Sequence, residues 1–168
     1  NTNYQLFTIH DKANVYQKIL NATFTTLPKV YNALIDGQSI YSISGIINGD
    51  IIDISNIYTT KFIDIYVGKN KTVYIDSVNL IGSNYFNYVI SISSIINGDI
   101  NTATITPTFY INKYYDKNQS APITFTLSGI YDIDINYITL SGSLFGLFRD
   151  FNAYKNITID ISYILLIG

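Results

Sequence analysis

Residues 123–127 read Ile123-Thr124-Phe125-Thr126-Leu127, so apolar and hydroxyl-bearing side chains alternate at every position. Successive side chains of an extended strand point to opposite faces, and the alternation therefore gives one apolar and one polar face. The same period of two occurs in four other stretches, at 63–67, 103–111, 131–137 and 157–163. The pattern predicts strands that each bury one face in an antiparallel sheet.

The composition points to the same fold class. Isoleucine occurs 32 times and tyrosine 16 times, whereas Glu and Met are absent. β-Branched and aromatic residues favour strands, and the missing residues are good helix formers. For this chain of 168 residues, we predict an all-β fold, an antiparallel β-sandwich of the immunoglobulin-like or jelly-roll-like kind. Residues 1–11 would form an N-terminal extension strand and residues 12–168 the sandwich domain.

Several functional classes are disfavoured by the same composition. The net charge is −2 and Arg149 is the single arginine, so no basic patch for nucleic acid is expected. There is no Cys, and His10 is the only histidine, which leaves little for a catalytic triad or a zinc site. No apolar run approaches the 18 residues of a membrane-spanning helix. We therefore predict no enzyme activity and no cofactor, with a calcium site at Asp132 and Asp134 as a minor alternative.

A short repeat contains a turn signal. The sequence SISGIINGD at 42–50 recurs as SISSIINGD at 91–99. Asn-Gly between apolar runs is the preferred centre of a tight hairpin turn. The repeat predicts hairpin tips at Asn48-Gly49 and at Asn97-Gly98.

The N-terminal segment is itself strand-like. Phe7 and Ile9 would share one face, and Tyr4 and Leu6 the other. An exposed sheet edge pairs with another strand unless charge, proline or a bulge guards it, and this chain has few such guards. The segment could therefore complete a neighbouring subunit or pair within its own sheet, and the sequence favours neither. The candidate donor strand consists of Asn3, Tyr4, Gln5, Leu6, Phe7, Thr8, Ile9 and His10.

Two features suggest contact with carbohydrate. Four Asn-x-Ser/Thr sequons predict N-glycosylation if the protein is exported, although their number is close to that expected from the abundance of Asn, Ser and Thr. Exposed pairs Tyr114-Tyr115 and Tyr85-Phe86 could form a sugar platform, or their rings could simply pack into a sheet. The sequon asparagines are Asn21, Asn70, Asn118 and Asn156.

An Ile-, Tyr-, Asn- and Thr-rich, cysteine-free chain of this size, with a strand-like N-terminus and scattered sequons, resembles the subunit of archaeal threads, the thin surface filaments of Sulfolobales. The resemblance covers the whole chain but includes no signature motif. It implies secretion with removal of a signal peptide, N-glycosylation and an extracellular location at the cell surface. It also implies head-to-tail self-assembly by donor-strand complementation, in which residues 3–10 of one subunit complete the next. Such a filament, a pilus-like thread, would serve adhesion or biofilm formation.

Two other classes share the β-rich composition. A viral jelly-roll capsid or fibre protein is one, although capsid proteins that contact genomes usually carry a basic arm, which is missing from this sequence. A carbohydrate-binding adhesin module, which would behave as a monomer, is the other.

Overall fold

The computed structural model describes residues 11–142, 144–161 and 164–168. Of these residues, 48% lie in strands and 2% in helix. The helix is a single 3₁₀ turn at Tyr85–Asn87. The predicted all-β, sandwich-like fold class is therefore confirmed.

Sixteen strands are described. The first nine are β1 Lys18–Thr26, β2 Lys29–Val30, β3 Ser39–Ser44, β4 Asp53–Ile54, β5 Thr59–Phe62, β6 Gly68–Asp76, β7 Leu80–Ile81, β8 Tyr88–Ile92 and β9 Ile95–Asn101. The others are β10 Thr106–Tyr110, β11 Ser120–Pro122, β12 Thr124–Ser128, β13 Thr139–Gly142, β14 Phe145–Phe148, β15 Ile159–Ile161 and β16 Ile164–Ile167. Most are short, as expected of a protein in which polar turns interrupt apolar runs.

The chain divides into two compact units. Unit 1 contains the described residues up to Lys29 together with Ile35–Asp64 and Gly68–Asp99. Unit 2 contains Val30–Leu34, Ile65–Val67 and the described residues from Ile100 onward.

Unit 1 is organised around β1, the central strand of a sheet with the order β3-β1-β8. β3 pairs with β1 in antiparallel fashion, whereas β8 is parallel to it. A second sheet has the order β2-β9-β6-β5. The sheets pack face to face, since a Cβ atom placed on Gly98 of β9 would lie 2.6 Å from Cγ2 of Thr26 in β1.

The core of unit 1 follows from alternation along these strands. In β1 every second residue is buried, from Leu20 to Thr26. Phe62, Val73 and Ile75 of the second sheet are at most 1% exposed. Burial of each such side chain stabilises the fold by about 1.5–3 kcal/mol.

Unit 2 is assembled from smaller sheets. β10 pairs with β12, and β13 pairs with β16, in two-stranded antiparallel sheets. β11, β14 and β15 form a three-stranded antiparallel sheet. The residues at 123–127 that predicted the fold lie mainly in β12, as expected from their alternation.

Two of the predicted strands are wrong. Residues 132–137 form turns, in which the N–H groups of Asp134 and Tyr137 donate to the carbonyl oxygens of Tyr131 and Asp134. Residues 63–67 form an irregular connection between β5 and β6. Alternation is a necessary property of a half-buried strand, but within the described part of the chain residues 132–137 have no partner strand, and Asp and Asn at alternate positions of 132–136 favour turns. In 63–67, the Ile63 N–H still donates to Thr72 O of β6, but the residues that follow it are irregular.

The two repeats adopt different structures, which corrects the predicted pair of hairpin tips. Asn48-Gly49 is the centre of a turn closed by a hydrogen bond from Asp50 N–H to Ile47 O, but strands do not flank it directly. Gly49 has a φ of +95° there. Asn97-Gly98 lies inside β9, where the strand is extended. The serines before the two Asn-Gly pairs do occupy similar places. Ser42 and Ser44 lie in β3 and Ser91 lies in β8, the two strands that flank β1.

The predicted division at residue 11 stays a prediction. The candidate donor strand, Asn3 to His10, lies outside the described residues.

Candidate functional site

An apolar groove in unit 2 is the strongest candidate site. Its volume is about 560 Å³. The residues that line this groove are all apolar: Ile105, Pro107, Phe109, Leu127, Leu140, Ile161, Ile164 and Leu166. A groove without polar side chains favours apolar side chains, and its polar contacts come from the main chain.

Strand pairing creates the groove. Pro107 is opposite Leu127 in the β10–β12 pair, and Leu140 is opposite Leu166 in the β13–β16 pair. Within the described part of the chain, each of these two pairs has no further strand beside it. Unpaired N–H and C=O groups along a strand edge can accept an additional strand.

The groove is long enough for a short extended peptide. On the β10 side, Ile105, Pro107 and Phe109 are spaced by two residues. At about 3.3 Å per residue, this row extends over about 13 Å. A strand of about five residues would fit along it and would direct two or three side chains inward.

Unit 2 has a thinner core than unit 1. Among the described residues, its buried apolar side chains are Ile100, Ala121, Ile123 and Leu140. Leu166 on the groove is 53% exposed, whereas Leu20 and Ile54 of unit 1 are 0% exposed. A further strand in the groove would cover apolar surface that is now in contact with water.

A charged pair joins Arg149, which follows β14, to Asp160 of β15, the strand that contributes Ile161 to the groove. Arg149 donates two hydrogen bonds to the Asp160 carboxylate, from Nε at 3.0 Å and from Nη2 at 2.9 Å. The hydrogen bond from Arg149 lowers the pKa of Asp160. Asp160 alternates with Ile159 and Ile161 in β15, so the charge is on the opposite side of the strand from the groove residue Ile161.

Three tyrosine hydroxyls donate to aspartate carboxylates elsewhere in the chain. Tyr31 donates to Asp134 Oδ2 at 2.7 Å, and Tyr41 donates to Asp53 Oδ1 at 2.7 Å. Tyr88 makes a corresponding short hydrogen bond to Asp50. The hydrogen bond to Asp134 raises the pKa of Tyr31 to about 12. Corresponding bonds also raise the pKa values of Tyr41 and Tyr88.

The four sequon asparagines are all exposed. Asn21 lies on the outer face of β1, and Asn70 lies in β6 with a φ of +51°. Asn118 lies in the loop before β11, and Asn156 lies in the loop before β15 with a φ of +59°. Each side chain is therefore accessible to a modifying enzyme in the folded protein.

The two predicted aromatic platforms differ in their surroundings. Tyr85 and Phe86 are more than half exposed, with ring centroids 6.2 Å apart in an edge-to-face arrangement. Tyr114 and Tyr115 are exposed and line a cleft of unit 2.

A tyrosine-lined pocket was not predicted from the sequence. Its volume is about 700 Å³, and its walls include Tyr31, Tyr66, Tyr131, Tyr137 and Asp134. Part of the wall comes from 65–67 and 131–137, two segments whose alternation had predicted strands. Because neither segment is in a strand, apolar residues of both remain at the surface and line the pocket.

Metal sites and membrane-spanning helices are two other kinds of feature to consider among the described residues. The described residues contain no group of three or more His, Asp, Cys or Glu side chains that could hold a metal ion. The Asp132 and Asp134 pair belongs to the turn at 132–137. None of the helical structure in the described residues is long and apolar enough to cross a membrane.

Comparison of the chain with protein-family models, with curated proteins and with solved structures finds no match.

Proposed function

We propose that this protein is the structural subunit of an extracellular filament that assembles head to tail by donor-strand complementation. The observation that carries the proposal is the apolar groove of unit 2, whose walls include residues of two two-stranded sheets, β10-β12 and β13-β16, that have no third strand in the described part of the chain. The segment Asn3 to His10 of a second copy is the proposed occupant. Strand addition combines main-chain hydrogen bonds with side-chain pockets at alternate positions, which is the chemistry that the groove offers.

The number of apolar side chains on each face of the donor fits the groove, which takes part of the segment. The segment has two apolar side chains on either face, Phe7 with Ile9 and Tyr4 with Leu6. The groove has room for two or three inward side chains along its β10 side. One face of the donor would be buried against the groove, and the other would point away from it.

A matched pair of variants tests the groove. Leu166 lines it, whereas the adjacent Leu165, which is 66% exposed, does not. Leu166→Asp should abolish filaments seen by negative-stain electron microscopy, because a carboxylate cannot enter an apolar groove without a partner. Leu165→Asp should assemble normally. If Leu166→Asp forms the same filaments as the parent protein, the apolar groove is not the acceptor site of the donor strand.

A chain without cysteine allows a direct test of the donor strand. One copy carries Ile9→Cys, and a second copy carries Phe109→Cys in the groove. Mild oxidation should link the two copies, because a disulfide forms only when the Cβ atoms approach to about 3.5–4.5 Å. Leu165→Cys replaces Phe109→Cys in the control and should give no link. Equal cross-linking of both acceptors would contradict insertion into the groove.

The two faces of the donor can be distinguished by charge. Phe7→Asp with Ile9→Asp is compared with Tyr4→Asp with Leu6→Asp. The pair whose substitution abolishes assembly faces the groove. Assembly by both double variants would exclude a donor role for this segment.

A second candidate function is carbohydrate binding, which the tyrosine-lined pocket favours. Aromatic rings pack against the apolar faces of sugars, and the Asp134 carboxylate could accept hydrogen bonds from hydroxyl groups. Methyl β-glucoside and methyl α-mannoside are suitable probes for NMR titration of the full chain. Shifts that saturate and that Tyr137→Ala removes would support this function, and no shift at millimolar concentrations would exclude it for these sugars.

A further inference from the structure

Two of the four sequons open onto one cleft of unit 2. Asn118 and Asn156 both line this cleft, which has a volume of about 670 Å³. They are 38 positions apart in the sequence and belong to separate loops. The other two sequon asparagines, Asn21 and Asn70, are not part of its wall.

Four exposed aromatic rings surround the same two asparagines. Tyr114 is 96% exposed and Tyr154 is 71% exposed, while Tyr115 and Phe151 are about half exposed. An exposed aromatic ring can pack against an apolar face of a ligand. The wall also carries Asp150, Asn152 and Lys155, whose polar groups can exchange hydrogen bonds with hydroxyl groups.

Several hydrogen bonds cross the loop around Asn118. The N–H of Asn118 donates to Asp116 Oδ1 at 2.9 Å, and its Oδ1 accepts from the N–H of Ser120 at 3.0 Å. Lys113 Nζ donates to the carbonyl oxygens of Asn118 and Ser120. These bonds engage the amide oxygen of Asn118, whereas none of the hydrogen bonds among the described residues uses its Nδ2, the atom to which a glycan is attached.

We infer that N-glycans attached to Asn118 and Asn156 fold back over this cleft and cover its aromatic rings. The inference rests on the export that the proposed function requires. In the attachment step, Asn Nδ2 forms a bond to the anomeric carbon of a lipid-linked glycosyl phosphate donor. The phosphate leaves with the bonding electron pair, and the amide nitrogen loses one proton. The apolar C–H faces of the sugars then pack on the rings, and their hydroxyls meet the polar groups of the wall.

Labelling of tyrosine in the full chain tests this inference. The protein is produced in a host that N-glycosylates exported proteins, and occupancy of each sequon is measured by peptide mass spectrometry. A tyrosine-selective reagent is then applied, and the labelling rates of Tyr114 and Tyr154 are followed. Tyr16, which is 83% exposed and is not on the cleft, is the internal reference.

Glycosylated protein should label Tyr114 and Tyr154 several-fold more slowly than Tyr16. The double variant Asn118→Gln with Asn156→Gln should restore fast labelling, whereas Asn21→Gln with Asn70→Gln should not. Ser120→Ala with Thr158→Ala removes both sequons and retains the asparagines. It should also restore fast labelling of Tyr114 and Tyr154. Circular dichroism confirms that each variant is folded.

Two results would overturn the inference. One is full occupancy of Asn118 and Asn156 with Tyr114 and Tyr154 labelled as fast as Tyr16. The other is the absence of glycan from both sequons. Filament assembly is assessed separately with the Leu166 and Leu165 variants, so failure of this inference and failure of the proposed function can be distinguished.

Discussion

Replacement of Gly98 by alanine is predicted to destabilise the sandwich of unit 1. An added Cβ would lie 2.6 Å from Thr26 Cγ2 and 3.0 Å from Phe62 Cε1. Thr26 is 8% exposed and Phe62 is 1% exposed, so neither side chain can move into solvent. Overpacking of this kind costs about 1–3 kcal/mol. Lower entropy of the unfolded chain offsets about 0.4–1 kcal/mol of that cost. We expect a net loss of about 1–2 kcal/mol in the free energy of unfolding.

Thr26→Ala supplies the test of this mechanism. It removes the Cγ2 atom and also a buried Oγ1 that has no hydrogen-bond partner among the described residues. Loss of a methyl group costs about 0.8 kcal/mol, and removal of the unsatisfied hydroxyl returns about 1–3 kcal/mol. The single variant should therefore be at least as stable as the parent, and Gly98→Ala should cost less in its presence. A favourable coupling of at least about 0.5 kcal/mol is expected from the double-mutant cycle.

The free energy of unfolding is measured by urea titration, followed by circular dichroism, for the parent, Gly98→Ala, Thr26→Ala and the double variant. An unchanged m-value shows that their unfolded states are comparable. Gly49→Ala is the matched control, because Gly49 has a φ of +95° and no atom within 4 Å of an added Cβ. Its cost of about 1–2 kcal/mol comes from the backbone alone and should not couple to Thr26. If Gly98→Ala is as stable as the parent, or if its coupling to Thr26→Ala is zero, the packing argument is wrong.

Two further predictions concern titration. The Tyr31 pKa of about 12 lies above the ordinary value of 10.0, so the stability that this hydroxyl contributes is complete below pH 10 and is lost as the pH rises towards 12. The free energy of unfolding of Tyr31→Phe should fall less steeply over that range, and parallel curves would contradict the assignment. Arg149→Gln should raise the pKa of Asp160 towards its ordinary value, because the guanidinium hydrogen bonds are lost. Carboxyl ¹³C NMR measures this pKa, and an unchanged value would show that the pair does not persist in solution.

The fold class could be predicted because period-two alternation is a local property. The residues at 124–128 and 159–161 form strands where their alternation predicted them. The pattern does not specify a partner, however, and a half-buried strand requires one. Residues 131–137 alternate as regularly as β12, but no strand among the described residues pairs with them, and their Asp and Asn residues form turns instead.

The repeat illustrates how tertiary context overrides a local signal. Asn48-Gly49 and Asn97-Gly98 have identical neighbours, since each pair follows two isoleucines and precedes an aspartate. At the first position glycine provides a positive φ, and at the second it allows Thr26 and Phe62 to approach the backbone. Sequence indicates that glycine is needed at both places but not which of the two reasons applies.

The apolar groove could not be predicted in the same way. Its residues come from strands separated by up to about 60 positions, between Ile105 and Leu166. Alternation indicates that each contributes an apolar face but gives no information about which faces remain uncovered. The candidate donor strand, by contrast, is local and was predicted from alternation, although it lies outside the described residues.

The parallel pairing of β1 with β8 has a consequence for the order of folding. Lys18–Ala22 are paired with Tyr88–Ile92, about 70 residues further along the chain, whereas β3 follows β1 after a short connection. Pairings between distant segments form slowly, because the intervening chain must first be brought into a closed loop. One edge of β1 therefore stays unpaired until the chain has been synthesised as far as residue 92. We expect the sandwich of unit 1 to complete late and to spend that interval with its central strand open to other chains.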